Sequence, residues 1–195
     1  MKVFLLAVLL LWPQVESAEF TISLNGLRVG TEEFSVLRRG DGFLATGRTE
    51  LRVGGGTVVA RSRMELDGDL NPVSYQYDSG DQTIRIDIGG QETRVDITVA
   101  GVLTSYNVSF PPGGMIVDDN FFHHYALLLN RLGEGGGTVP VFVPQQLTVG
   151  TLEVVPGAGL SYDLTTENLR LTATMDEAGR LIRIAGVDAN VVAER

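Results

Sequence analysis

The sequence predicts a mainly β protein: a large curved antiparallel sheet, or an incomplete up-and-down β-barrel, with one helix covering or plugging the concave side. Three observations lead there. Apolar and polar residues alternate with period two through most of the chain, as in Thr83–Ile88 and Arg94–Val99. Turn signals rich in glycine recur about every 8–14 residues, the rhythm of a meander. A single stretch, 118–132, carries helical spacing instead.

The N-terminus has the three parts of a secretory signal: Lys2, an apolar run from Val3 to Trp12, and small residues at Ser17 and Ala18 for cleavage. That run is about half the roughly 20 residues that a membrane-spanning helix needs. The expected organisation is a signal peptide at 1–18 and a single β-rich domain at 19–195, exported to a bacterial periplasm or the exterior, with no integral membrane segment after cleavage. The chain contains no cysteine, which rules out disulfides and thiolate metal sites. Lys2 is the only lysine, and loss of Lys2 and Glu16 leaves 14 arginines against 23 acidic residues, a net charge of −9. Such a balance argues against nucleic acid as a partner, since that binding needs clustered positive charge.

Asn25-Gly26, between Phe20–Leu24 and Leu27–Val29, marks a hairpin, because a type I′ turn needs positive φ at both central residues. Further turns are expected at 39–42, 54–56, 67–69, 79–81, 89–91, 156–159 and 177–179. These turns cut the chain into roughly a dozen strands, about eight before the helix and four to six after it. The later ones are expected at 139–143, 147–155, 160–165, 169–175 and 181–187. A sheet this long must curl to protect its edges, and its concave side is too wide for its own side chains to fill. The helix is the natural filler.

In 118–132 the apolar stripe is Phe121, Phe122, Tyr125, Leu128, Leu129 and Leu132, with Asp118 or Asp119 expected as N-cap and Gly133 as C-terminal cap. The wheel places both histidines, His123 and His124, off that stripe. Pro111-Pro112-Gly113-Gly114 before the helix and Gly133–Gly137 after it suit either tight turns or the hinges of a lid. Asp119 and His123, one helical turn apart, are the metal candidates, but they supply two ligands where three or four are required, so no metal or other cofactor is expected.

No phosphate-binding glycine loop, nucleophile elbow or metalloprotease helix occurs, and no enzymatic activity is expected. The function expected first is binding of an apolar or amphipathic ligand, such as a lipid, between sheet and helix. Its contacts would be Phe121, Phe122, Tyr125, Leu128 and Leu129, with Tyr75 and Tyr106 from the sheet, and Tyr77 and Tyr162 beside them. The alternative is a structural or protein-interaction component of the cell envelope with a closed, filled interior. A pocket of several hundred Å3 is what separates the two.

Four segments stand out within this framework: Gly26-x-x-x-Gly30-x-Glu32-Glu33-Phe34, Leu70–Tyr75, Asp118–Tyr125 and Val139–Gln145. Together they resemble uncharacterised families of bacterial exported β-proteins, in which such a hairpin opens the fold and such a helix interrupts it. The resemblance implies a shape similar to the curved sheets of periplasmic lipoprotein carriers, and it implies no chemistry.

Overall fold

A computed structural model describes residues 16–89 and 92–195. The expected signal sequence up to residue 15, and Gly90 and Gln91 of one expected turn, lie outside the described residues. The first meander is β1 (Glu16–Leu24), β2 (Leu27–Arg39), β3 (Gly42–Val53), β4 (Gly56–Leu66), β5 (Pro72–Ser79), β6 (Gln82–Gly89), β7 (Glu92–Val99) and β8 (Val102–Val108). A two-residue β9 (Met115–Ile116) and the helix α1 (His123–Leu132) follow. The second meander is β10 (Gly137–Val143), β11 (Thr148–Pro156), β12 (Ser161–Thr165), β13 (Arg170–Met175), β14 (Leu181–Gly186) and β15 (Val191–Glu194).

All 15 strands join one sheet in the order β8-β7-β6-β5-β4-β3-β2-β1-β15-β14-β13-β12-β11-β10-β9. β1 and β15 pair side by side, so the two meanders run outward from the middle of the sheet. The ends, β8 and β9, do not pair with each other, and the sheet is curved without closing into a barrel. One pairing departs from the expected antiparallel pattern: β9 runs parallel to β10. Parallel neighbours need a long crossover, and α1 supplies it.

The turns follow residue chemistry. Asn25 and Gly26 have φ of 51° and 76°, the left-handed pair that a type I′ hairpin requires. Ala100 and Gly101 make the same turn between β7 and β8, with φ of 48° and 82°, although no Asn-Gly or Asp-Gly marks it.

Alternation sorts each strand onto two faces. The inner face carries Phe20, Ile22, Phe34, Ala45, Ala60, Met64, Tyr75, Ile84, Ile86 and Val95, all buried, and continues across Leu152, Leu164, Ala173 and Ile184. α1 lies against this face, and its residues 123–129 are all buried, so its first two turns have no solvent side. Burying a large apolar side chain contributes about 1.5–3 kcal/mol, and Phe121, Tyr125, Leu128 and Leu129 are all at most 5% exposed. Among the described residues no helix is long and apolar enough to cross a membrane.

Candidate functional site

The polar residues with chemical potential gather under the start of α1, and the reason lies in the sheet beneath. Cross-strand register aligns Phe34, Gly47, Ser62 and Tyr77 in one inner-face row, and Glu32, Thr49 and Ala60 in the next. The small residues at the centre, Gly47, Thr49, Ala60 and Ser62, leave a pit. His123 fills it, stacked on Phe34 at 5.4 Å between ring centres. The fit excludes even a methyl group, since a Cβ at position 47 would lie 2.5 Å from His123 Cε1 and 2.9 Å from Ser62 Oγ.

Glu32 is fully buried beside the pit and accepts three hydrogen bonds: from the backbone N–H of Phe122 at 2.7 Å, from that of His123 at 3.1 Å, and from His123 Nδ1 at 2.5 Å. It therefore does the work of an N-cap from another strand. This corrects two expectations. The helix begins at His123, not near 118, and neither Asp118 nor Asp119 caps it: the N-cap position is Phe122, without a side-chain bond. Asp118 instead anchors the preceding turn. Its carboxylate accepts from Asn120 N–H at 2.8 Å, and from the Tyr75 hydroxyl and the Gln145 side-chain amide. Thr49 fixes the same turn by donating to the Asn120 carbonyl at 2.7 Å. Asp119 is exposed and accepts from Gln146 at 2.9 Å.

The histidines also differ from the wheel expected for 118–132, because the helix is five residues shorter. Both are fully buried, and their rings meet edge to face at 4.5 Å. The hydrogen bonds assign complementary tautomers: His123 donates from Nδ1 to Glu32, whereas His124 Nδ1 accepts from the Asp118 N–H at 3.2 Å. Both Nε2 atoms, Ser62 Oγ and Gln145 Oε1 are buried without a hydrogen-bond partner among the described residues. Burial drives the His124 pKa well below its usual value, reinforced by His123. Burial raises that of Asp118, against the bonds from Tyr75, Asn120 and Gln145, and raises Tyr75 well above the ordinary tyrosine value, with Asp118 adding to it.

Ser62, His123 and Glu32 have the residue types of an acyl-transfer triad. Ser62 makes no hydrogen bond among the described residues, however, and Glu32 and His123 are fully buried between helix and sheet. The cluster acts as a latch that pins the start of α1 and the turn before it to β2, β3 and β5. Asp119 and His123 do not converge, and among the described residues no group of three or more histidine, aspartate or glutamate side chains could hold a metal ion.

The residues expected to touch a ligand divide sharply. Phe121, Leu128, Leu129 and Tyr75 are core, at most 3% exposed; Tyr77 and Tyr162 are buried too. Phe122 is half-buried at the helix start, and Tyr106 stands 41% exposed on β8, an end strand of the sheet. Tyr125 borders open space beside the helix. It lines a half-open groove of about 630 Å3 between α1, β10, β11 and the β12–β13 turn. The floor, Val117, Tyr125, Val141 and Leu152, is apolar and buried. The rim carries Asp119 and Glu167, and no cationic side chain lines the groove. Tyr125 is 95% buried, burial raises its hydroxyl pKa above the ordinary tyrosine value, and that hydroxyl has no hydrogen-bond partner among the described residues. Sequence reasoning had no signal for Val117, Val141, Leu152 or Glu167, because they come together only across strands.

Other open spaces are less suited to a ligand. A furrow of about 1000 Å3 crosses the outer face over Arg48, Arg61 and Arg63, but register sets Glu33 opposite Arg48 and Asp78 opposite Arg61, which cancels much of the charge. A space of about 550 Å3 on the other flank of α1, near Ala126 and Leu127, is as polar as it is apolar. Set beside known proteins, the chain matches no family model, no curated protein and no solved structure.

Proposed function

We propose that this is an exported, non-enzymatic binding protein that holds an amphipathic small molecule in the groove beside α1, apolar body on the floor and cationic head at the rim. The observation that carries the reading is the groove itself: about 630 Å3, an apolar buried floor, and a Tyr125 hydroxyl without a hydrogen-bond partner among the described residues. Sites for small molecules have this size and this mixture of apolar lining with a few placed polar groups. Asp119 and Glu167, without an opposing cation in the lining, favour a positive head group. The ligand thus sits along the flank of the helix and not beneath it, where Phe121, Leu128, Leu129 and Tyr75 occupy the space.

The test is calorimetric titration with three surfactants sharing a twelve-carbon tail, below their micelle concentrations: dodecylammonium, dodecyl maltoside and dodecyl sulfate. Dodecylammonium should bind one to one, more tightly than the others, and more weakly as salt rises. Tyr125→Phe should weaken it about two- to tenfold, the usual worth of one hydrogen bond. Asp119→Asn with Glu167→Gln should lower the cation's advantage about three- to tenfold, whereas the remote Asp188→Asn should not. Absence of saturable binding, or equal loss in the remote variant, refutes the proposal.

A further inference from the structure

The two ends of the sheet are protected very differently. β9 is two residues long, fully buried, and packed near β5. β8 is seven residues long, pairs only with β7, and is exposed from Val102 through Asn107. Edge strands are normally guarded by charge, proline, a bulge or a covering element. β8 has none of these guards: from Ile97 to Val117 the chain runs 21 residues without one charged side chain. In a protein of net charge −9 this is the part of the surface that two copies can bring together at least electrostatic cost.

The sequence of β8 is also close to its own mirror. Antiparallel pairing about a two-fold axis at Ser105 places Val102 opposite Val108, Leu103 opposite Asn107 and Thr104 opposite Tyr106. Val–Val and Thr–Tyr are pairs that sheets favour. The backbone phase agrees. Val99 and Val102 flank the two-residue Ala100-Gly101 turn, so Val102, Thr104 and Tyr106 direct their N–H and C=O groups to β7. Leu103, Ser105 and Asn107 then direct theirs to the free edge, which is the set that a two-fold at Ser105 joins through about six hydrogen bonds. On the inner face the same pairing shields Val102 and Tyr106, which are 69% and 41% exposed in the single chain.

We infer that β8 is a self-association edge, and that the partner it takes is a second copy of this chain, added antiparallel in the register centred on Ser105. The inference is independent of the ligand reading, since β8 lies at the end of the first meander and contributes nothing to the groove.

The absence of cysteine makes the register directly testable. In the mature protein, Ser105→Cys would place two thiols across the axis at a Cα separation of about 5.5 Å, within disulfide range. Asn107→Cys would face Leu103 of the other copy and lie too far from its own counterpart. Mild oxidation should therefore link Ser105→Cys into a covalent dimer and leave Asn107→Cys unlinked. Sedimentation equilibrium should give a mass of two chains, and Leu103→Pro, which deletes only an outward N–H, should weaken that dimer about ten- to thirtyfold. A chain monomeric at every concentration, a dimer unaffected by Leu103→Pro, or equal linking at 105 and 107 would overturn the inference.

Discussion

Replacing Glu32 with alanine is the sharpest test of the latch. Its carboxylate satisfies the Phe122 and His123 amides and His123 Nδ1, at 2.7, 3.1 and 2.5 Å. Alanine leaves three donors unpaired, and each buried unpaired donor costs about 1–3 kcal/mol, with relaxation recovering part of the sum. The expected loss is about 3–5 kcal/mol, a large share of the roughly 5–15 kcal/mol by which domains are stable. Glu33→Ala is the natural control, because Glu33 has the same chemistry one residue away on the exposed face, and it should cost less than about 0.5 kcal/mol. Urea denaturation followed by far-UV circular dichroism measures both. A Glu32→Ala loss below about 1 kcal/mol, or equal losses at 32 and 33, would refute the claim that Glu32 caps the helix.

Two further outcomes follow from the same cluster. Gly47→Ala should destabilise by about 1–3 kcal/mol through overpacking against His123, and adding His123→Ala should remove most of that increment, so the two changes should be strongly non-additive in a double-mutant cycle. Stability should also fall on acidification below the ordinary histidine pKa of 6.5: the unfolded chain then protonates His124 while the folded chain, whose pKa lies well below, does not. The slope should approach about 1.4 kcal/mol per pH unit. Asp118 works in the opposite sense, since its raised pKa removes stability as pH climbs above 3.8, so the two contributions meet at mildly acidic pH. Denaturation midpoints flat from about pH 6.5 to 5.5 would contradict the depressed pKa of His124.

Much of the fold was legible because its signals are local. Alternation at Thr83–Ile88 and Arg94–Val99 gave β6 and β7, Asn25-Gly26 gave the first hairpin, and Gly133 is the C-terminal cap, its N–H bonded to the Leu129 carbonyl. The helix start was not legible, because its cap arrives from β2, 90 residues upstream. The sequence did carry a trace of this: Glu32 falls on the same alternation as Phe34, and a carboxylate on a buried face demands a partner. The histidine positions were lost for a related reason. A helical wheel assumes one apolar side, whereas the pit of Gly47, Thr49, Ala60 and Ser62 lets the sheet receive polar rings. The β1–β15 pairing and the groove are assembled across strands and leave no local signature.

The four segments that stand out in the sequence, 26–34, 70–75, 118–125 and 139–145, are four that meet in the latch. Glu32 and Phe34, Tyr75, Asp118 to His124, and Gln145 come from separate elements and converge on one buried cluster. Together they fix how a helix seats in a curved sheet. That bears on whether the helix opens. Lifting α1 would expose Phe121, Tyr125, Leu128 and Leu129, at about 1.5–3 kcal/mol each, and would break the bonds to Glu32 and Asp118 as well. The total reaches the global stability of a typical domain, so such an opening is hardly cheaper than unfolding. The glycines around α1 therefore serve tight turns, and the ligand of the proposed function would enter from the side, along the groove that Tyr125 lines.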